Sequence, residues 1–303
     1  MNIWLVTPAA KGTLNGNRVT AVRWGRILKQ LGHQVQIDVN YGGQRCDLMI
    51  AIHAWRSAPA VAAFKKHQPG APLVVLLAGT DIYRFQHSDP AVTLRSMASA
   101  DSLVGLHDRV AEDIPAEFAS KLRIIYQSCP SLGRRRTPTR RHFKVCVVGH
   151  LREEKDPFRA ALAARQVPDS SKLRVVHLGA AHTPDWADAA HEEARINHRY
   201  VWHGEVSKAQ VRRHFTNSHA MVMSSVMEGG ANVVSEAIVA GLPVIASDIS
   251  GNRGLLGDAH EAYYPAGDEN ALAQLLLRAE TNPGFLPAVS AEATRGAARF
   301  SAE

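Results

Sequence analysis

Two carboxylates, Glu228 and Glu236, stand eight positions apart in the stretch EGGANVVSE. The first closes the apolar, strand-like run AMVMSSV, and the second falls a little over two helical turns later, on nearly the same helix face. Between them, Gly229 and Gly230 let a backbone come close to a ligand. The NH groups of Ala231 and Asn232 open a helix, a setting that favours a phosphate or a developing oxyanion. Core packing alone does not require this arrangement. It suits a nucleotide sugar, with one carboxylate reaching the sugar and the other the ribose hydroxyls. A second stretch, VVGHLREEKDP, places Arg152 and Lys155 just past a strand and before a helix. Two cations there can neutralise a diphosphate leaving group as its charge develops, although simple solvation would also explain either residue.

Other strand ends carry polar residues with more than one reading. In PAAKGTLNGNRV, Gly12 and Gly16 bracket a turn, Asn17 is placed to cap the next helix, and Lys11 and Arg18 lie beside it. Such a loop can hold an anion, but the spacing is not GxGxxG and an ordinary glycine turn fits equally well. In AGTDIYR, Thr80 and Asp81 either cap the following turn or face a ligand, with Tyr83 next to them. His53, in AIHAWRS, also ends a strand, and a structural histidine is as good a reading as a binding one.

These residues sit on a repeating strand and helix pattern. NIWLV, HQVQIDV, DLMIAIH, PLVVLLAGT, DSLVGLH and KLRIIYQS are short runs, mostly apolar on both faces, as strands of a buried parallel sheet are. A helix from near Asn17 places Val19, Val22, Ile27, Leu28 and Leu31 largely on one face, and Gly32 stops it. The pattern lapses in CPSLGRRRTPTRRH, a Pro, Arg and Gly-rich segment whose arginines read as solvated. It resumes through FKVCVVGH, LRVVHLGA, RYVWHG, HAMVMSS and LPVIAS. The expected architecture is α/β, with two Rossmann-like, doubly wound parallel-sheet domains. Residues 1–130 form the first, 131–142 the linker and 143–285 the second, and 286–303 form a C-terminal helix that could cross back to the first. Ligands of such sheets bind beyond the carboxyl ends of the strands.

Composition narrows the classes. The 303 residues are 46% hydrophobic and 21% charged, as in soluble globular proteins, and no apolar run approaches the roughly 18 residues of a membrane span. The N-terminus has no basic region before its short apolar stretch, so it reads as a strand rather than a signal, and a cytoplasmic location is expected. Cys46, Cys129 and Cys146 are isolated and read as buried thiols. A net charge of +7 suits anionic partners, but the few aromatics are not interleaved with the basic residues, which argues against nucleic acid. HEEAR at His191 lacks the second histidine of a zinc motif and reads as a solvent-facing helix. There is no P-loop and no DxD pair to hold a metal-bound diphosphate.

The sequence resembles the GT-B glycosyltransferases of the family-4 type. Their E-x7-E signature is matched by Glu228 and Glu236, followed by AGLPVIAS, and VGHLREEK is similar to their VGRLxxEK with Lys155 at the lysine. His150 stands where those enzymes usually carry arginine, a loss for which Arg152 can compensate. The resemblance implies two domains facing a cleft, with Glu228, Arg152 and Lys155 catalytic. Glu236, Gly229, Gly230, Ala231, Asn232, His150 and Gly16 would hold the nucleotide sugar.

GNRVTAVRWGRILKQLGH, LLAGTDIYR, GHLREEKDP, HRYVWHGE and SSVMEGGANVVSEA look like the selenosugar synthases of selenoneine biosynthesis. That narrower resemblance implies UDP-sugar and selenophosphate as substrates, no cofactor and no metal. Lys11, Asn17, Arg18, Thr80, Asp81 and His53 would bind the acceptor, with Arg23, Arg56 and Arg84 as further cations. A family-4-type transferase acting on a saccharide, lipid or other hydroxyl acceptor is the alternative. A non-catalytic sugar-nucleotide-binding protein is another, against which the joint presence of Glu228, Glu236, Arg152 and Lys155 argues.

Overall fold

The computed structural model describes residues 1–13 and 15–301. The chain divides into two compact units, Met1–Gln127 with Glu228–Gly230, and Ser128–Met227 with the chain from Ala231 onward.

The first unit holds β1 (Asn2–Val6), β2 (Gln34–Asp38), β3 (Leu48–Ile52), β4 (Leu73–Leu76), β5 (Ser102–Gly105) and β6 (Leu122–Ile124). They form one parallel sheet in the order β2-β1-β3-β4-β5-β6. The strand side chains alternate between two cores. Ile3, Leu5, Ile50 and Ile52 join one face, while Val6, Met49, Ala51 and Val75 join the other. Both faces are therefore dry, which explains why these strands read as continuous apolar runs. Each fully buried Leu or Ile is worth about 1.5–3 kcal/mol.

Helix Gly16–Gln30 covers one of those faces. Its N-cap is Asn15, whose side chain accepts from Asn17 N at 3.0 Å, so Asn17 is a first-turn residue and not the expected cap. The buried stripe is Thr20, Ala21 and Gly25, whereas Val22 and Leu31 are 50% and 67% exposed. Close seating on the sheet selects small residues, since a Cβ on Gly25 would lie 2.8 Å from Ile37 Cδ1.

The second unit holds β7 (Phe143–Val148), β8 (Leu173–Leu178), β9 (Tyr200–Trp202), β10 (Ala220–Met223), β11 (Val244–Ser247) and β12 (Tyr263–Tyr264). All are parallel, in the order β12-β11-β10-β7-β8-β9. The order in which successive strands are added reverses between β1 and β3 in the first sheet and between β7 and β10 in the second. The crevices that receive ligands in such sheets lie at these switch points.

Two expectations change here. Arg134, Arg135, Arg140 and Arg141 are exposed, but Arg136 donates to the carbonyls of Phe215, Gly241, Ser218 and His219, pinning the arginine-rich segment to the second unit. A planar fork of five donors can satisfy that many carbonyls at once. Helix Phe285–Arg295 and the chain up to residue 301 belong to the second unit, where the helix packs on helices Asn232–Val239 and Glu269–Thr281. Ala302 and Glu303 lie outside the described residues. In HEEAR, His191 and Arg195 are exposed, but Glu193 is buried, pairs with Arg165 and accepts from Asn197 Nδ2 at 2.8 Å. Among the described residues no helix is long and apolar enough to cross a membrane.

Three buried histidines make the fold acid-sensitive. Burial lowers His107, His177 and His260 from 6.5 to about 4. The unfolded chain takes up these protons as pH falls below 6.5, and the native state does so only near 4. Stability is therefore full above pH 6.5 and lost as pH drops towards 4, with each group worth on the order of 3 kcal/mol over the interval. Urea titrations from pH 7.5 to 4.5 should show a steadily falling midpoint. A flat midpoint would refute the neutral, buried state of these rings.

Candidate active site

In the second unit, the turn after β7 is built on a crossing of two loops. Gly179 has φ 153°, and a Cβ there would lie 1.9 Å from Gly149 O. Beneath it, His177 is 1% exposed. Its Nε2 donates to Gly149 O at 3.1 Å, and its Nδ1 accepts from the Tyr200 hydroxyl at 3.0 Å. Leu151 N donates to Ala180 O at 2.9 Å, and His182 N to Leu151 O at 3.1 Å. His150 Nδ1 accepts from Ala180 N at 3.1 Å, which puts the ring proton of the neutral imidazole on Nε2.

Arg152 follows in extended conformation and leads into the single 3-10 turn Glu153–Lys155, which ends at Asp156 with φ 42°. Arg152 Nε lies 3.8 Å from Glu154 Oε2, with both side chains partly exposed. The decisive local contact is Val226 N donating to Glu154 O at 3.0 Å. It ties the loop carrying Arg152 and Lys155 to the loop after β10, at the switch point between β7 and β10.

Beyond β10 the chain is anchored by Ser247 Oγ, which donates to Ser225 O at 2.6 Å, and by Asn252 Nδ2, which donates to Ser247 O at 2.9 Å. Helix Asn232–Val239 starts at Ala231 with no side chain capping its first turn, and Glu236 lies on it half-buried. The first amides of a helix have no intrahelical acceptor, and an anion is a favourable partner for them.

Glu228, Gly229 and Gly230 cluster with the first unit. A Cβ on Gly229 would fall 2.3 Å from Gly79 N, and one on Gly230 would fall 2.4 Å from Leu106 Cβ. Both glycines are therefore required by close backbone approach. Glu228 is half-buried and its charge bears on His107, which follows β5. Tyr83 donates to Asp113 Oδ2 at 2.8 Å and so accepts from His107 Nε2 at 3.0 Å. His107 Nδ1 is left as a buried acceptor with no partner among the described residues. Such a lone pair suits a hydroxyl donor.

The acceptor-side candidates separate. Lys11 and Gly16 are exposed, and Asn17 and Arg18 half-buried, in the loop and first helical turn after β1. Asp81, expected to orient a ligand, is 0% exposed and accepts from the backbone NH groups of Ala54, Ala78, Gly79 and Ile82. It holds the turns after β3 and β4 together, because a buried carboxylate needs such donors. Thr80 does not cap the following π-helical turn Asp81–Phe85. Instead it meets His53 Nε2 at 2.8 Å.

A family model for glycosyl transferases group 1 matches residues 134–296. The chain belongs to that family. It is 25% identical over 257 residues to TuaC of Bacillus subtilis, a glycosyltransferase assigned to teichuronic acid biosynthesis, in a match covering 79% of this chain and 63% of TuaC. Its fold is that of HepE from Anabaena, solved with UDP and glucose, at a TM-score of 0.79 and 15% identity, covering 99% of this chain and 96% of HepE. It is likewise that of sucrose-phosphate synthase from Thermosynechococcus elongatus, at 0.77 and 16%, covering 99% and 95%. The two parallel sheets are thus those of a GT-B glycosyltransferase.

Several residues of this glycosyl transferase escape sequence reasoning. His107 ends β5 in SLVGLH as His53 ends β3 in LMIAIH, and that parallel was the available signal. Trp55 and Phe85 stack at 3.9 Å and 3°, a pairing that sequence spacing does not reveal. His177 reads as an ordinary strand residue, since only the crossing loops show that it positions Gly149.

Proposed function

We propose that this glycosyl transferase joins the sugar of a UDP-sugar, such as UDP-N-acetylglucosamine or UDP-glucose, to selenophosphate. The observation that carries the reading is the Val226 to Glu154 bond, which sets Arg152 and Lys155 beside the loop leading to Glu228 and the uncapped helix start. Such a group of positive donors fits a departing diphosphate. HepE, which shares the fold, is solved with UDP and glucose, and this supports a uridine nucleotide. In this reading Glu236 accepts from ribose hydroxyls, Glu228 contacts the sugar, and Gly229 to Asn232 with His150 line the nucleotide sugar.

The selenium of selenophosphate attacks the anomeric carbon, forming the C–Se bond. The C–O bond to the diphosphate breaks, and UDP leaves with the electron pair. Water then cleaves the P–Se bond to release the selenol and phosphate. An already anionic nucleophile needs no strong base. In keeping with that, Asp81 is saturated by backbone donors and the His53 Nδ1 lone pair is occupied by Arg56 N at 3.1 Å. Likeness to TuaC favours a second reading, with a saccharide hydroxyl as acceptor.

Incubation with UDP-N-acetylglucosamine or UDP-glucose and selenophosphate, with and without chelator, should give UDP and a seleno-linked sugar by mass spectrometry in both conditions. Transfer only to a hydroxyl acceptor would move the assignment to the second reading. Loss of turnover with chelator and its return with magnesium would overturn the metal-free chemistry.

A further inference from the structure

We propose that the turn after β3, together with Thr80, forms a seat for a small tetrahedral oxyanion. Its donors are the Thr80 hydroxyl and the Arg56 guanidinium, and His53 fixes the direction of the Thr80 proton. The inference rests on the reading above in that it takes the occupant to be the acceptor. It differs in placing that anion on Arg56 and Thr80, past the carboxyl ends of the neighbouring strands β3 and β4, rather than on the start of helix Gly16–Gln30.

His53 has φ 78°, a left-handed conformation that costs a non-glycine residue on the order of 1–3 kcal/mol and survives only where its surroundings over-determine it. They do so here. His53 N donates to Leu76 O at 2.8 Å and Ser57 N to His53 O at 3.0 Å. Ser57 Oγ donates to Ile52 O at 2.6 Å, and Ala54 N to Asp81 Oδ2 at 2.9 Å. The side chain is 2% exposed, and burial favours its neutral form.

Its tautomer follows from its partners. Nδ1 accepts from Arg56 N at 3.1 Å, so the ring proton lies on Nε2 and is donated to Thr80 Oγ1 at 2.8 Å. The Thr80 hydroxyl, having accepted, has its own proton to give. Thr80 is half-buried, and His53 is its side chain's one hydrogen-bond partner among the described residues.

Arg56 flanks the same imidazole. Its guanidinium lies 5.9 Å from the Trp55 ring centroid and 5.7 Å from that of Phe85, beside the stacked pair. Two nearby carboxylates are engaged elsewhere: Asp81 on four backbone NH groups, and Asp89 on Trp55 Nε1 at 2.8 Å. A guanidinium beside aromatic rings, without a carboxylate partner among the described residues, is suited to a two-pronged hold on an oxyanion. The guanidinium carries a full positive charge and can only donate, which favours an anion over a neutral sugar hydroxyl. Phosphate, thiophosphate and selenophosphate share the required chemistry.

Inorganic thiophosphate is the probe, titrated calorimetrically into UDP-saturated protein. Arg56→Gln and Thr80→Val should each weaken it about tenfold or more while leaving UDP affinity unchanged, which also shows that the variants are folded. No binding by the wild type, or wild-type affinity in either variant, overturns the seat. Arg56→Gln with an unchanged KM for selenophosphate overturns it while leaving the proposed reaction intact. Thiophosphate binding that both variants lose, in a protein that transfers only to hydroxyls, supports the seat and overturns the selenophosphate reading instead.

Discussion

Replacing Arg152 with alanine should lower turnover by about 10²–10³ with little change in stability, and Lys155→Ala should act similarly. The size follows from where charge appears. In the proposed reaction negative charge grows on the diphosphate as the sugar leaves it, and a fixed cation there would stabilise the transition state more than the bound substrate. The structure separates this role from folding. Arg152 is partly exposed, its Nε has no hydrogen bond, and Glu154 Oε2 lies 3.8 Å away, so its loss removes little from the core. Lys155 passes over Gly149, to which its Cδ would come within 3.8 Å of an added Cβ. Steady-state rates and thermal midpoints check both variants. A loss below about threefold at Arg152 would place the leaving group elsewhere. The double variant should lose less than the product of the two single effects, since both cations would act on one group.

The parallel sheets were legible in the sequence because their strands are buried on both faces. LMIAI and FKVCVV could hardly be anything else between polar turns. The need for glycine at 229 and 230 was legible too, but its reason was not: the sequence suggests close approach of a ligand, whereas an added Cβ would meet Gly79 N and Leu106 Cβ. What was hidden depends on which partner a polar group finds. Asn15 and Asn17 are equally good caps by type, and only the chain path selects Asn15. Asp81 looks like a ligand-facing carboxylate until four backbone NH groups converge on it. Arg136 is one arginine among five in its segment, and its burial depends on carbonyls more than 70 residues away in sequence. Periodicity reports burial, whereas these roles are set by long-range geometry that leaves no local pattern.

Gly179→Ala should be the most damaging of the small substitutions, reducing turnover about 10²-fold and stability by about 2–3 kcal/mol. Its φ of 153° is one that residues with a Cβ rarely adopt. The new methyl would meet Gly149 O at 1.9 Å, Gly149 C at 2.4 Å and His150 N at 2.9 Å. All three are backbone atoms, so no rotamer change relieves the clash and one loop must move. The Gly149 carbonyl is held from the other side by His177 Nε2, so the displacement passes into the His150 to Lys155 turn. That turn carries both cations. A shift of about 1 Å there misaligns them with the leaving group, which costs far more in rate than in binding. Gly70→Ala is the control: a Cβ there meets nothing within 4 Å and should change neither quantity. Thermal melts and single-turnover rates on both variants decide the matter. Wild-type turnover in Gly179→Ala would mean that the crossing of the two loops does not position Arg152 and Lys155.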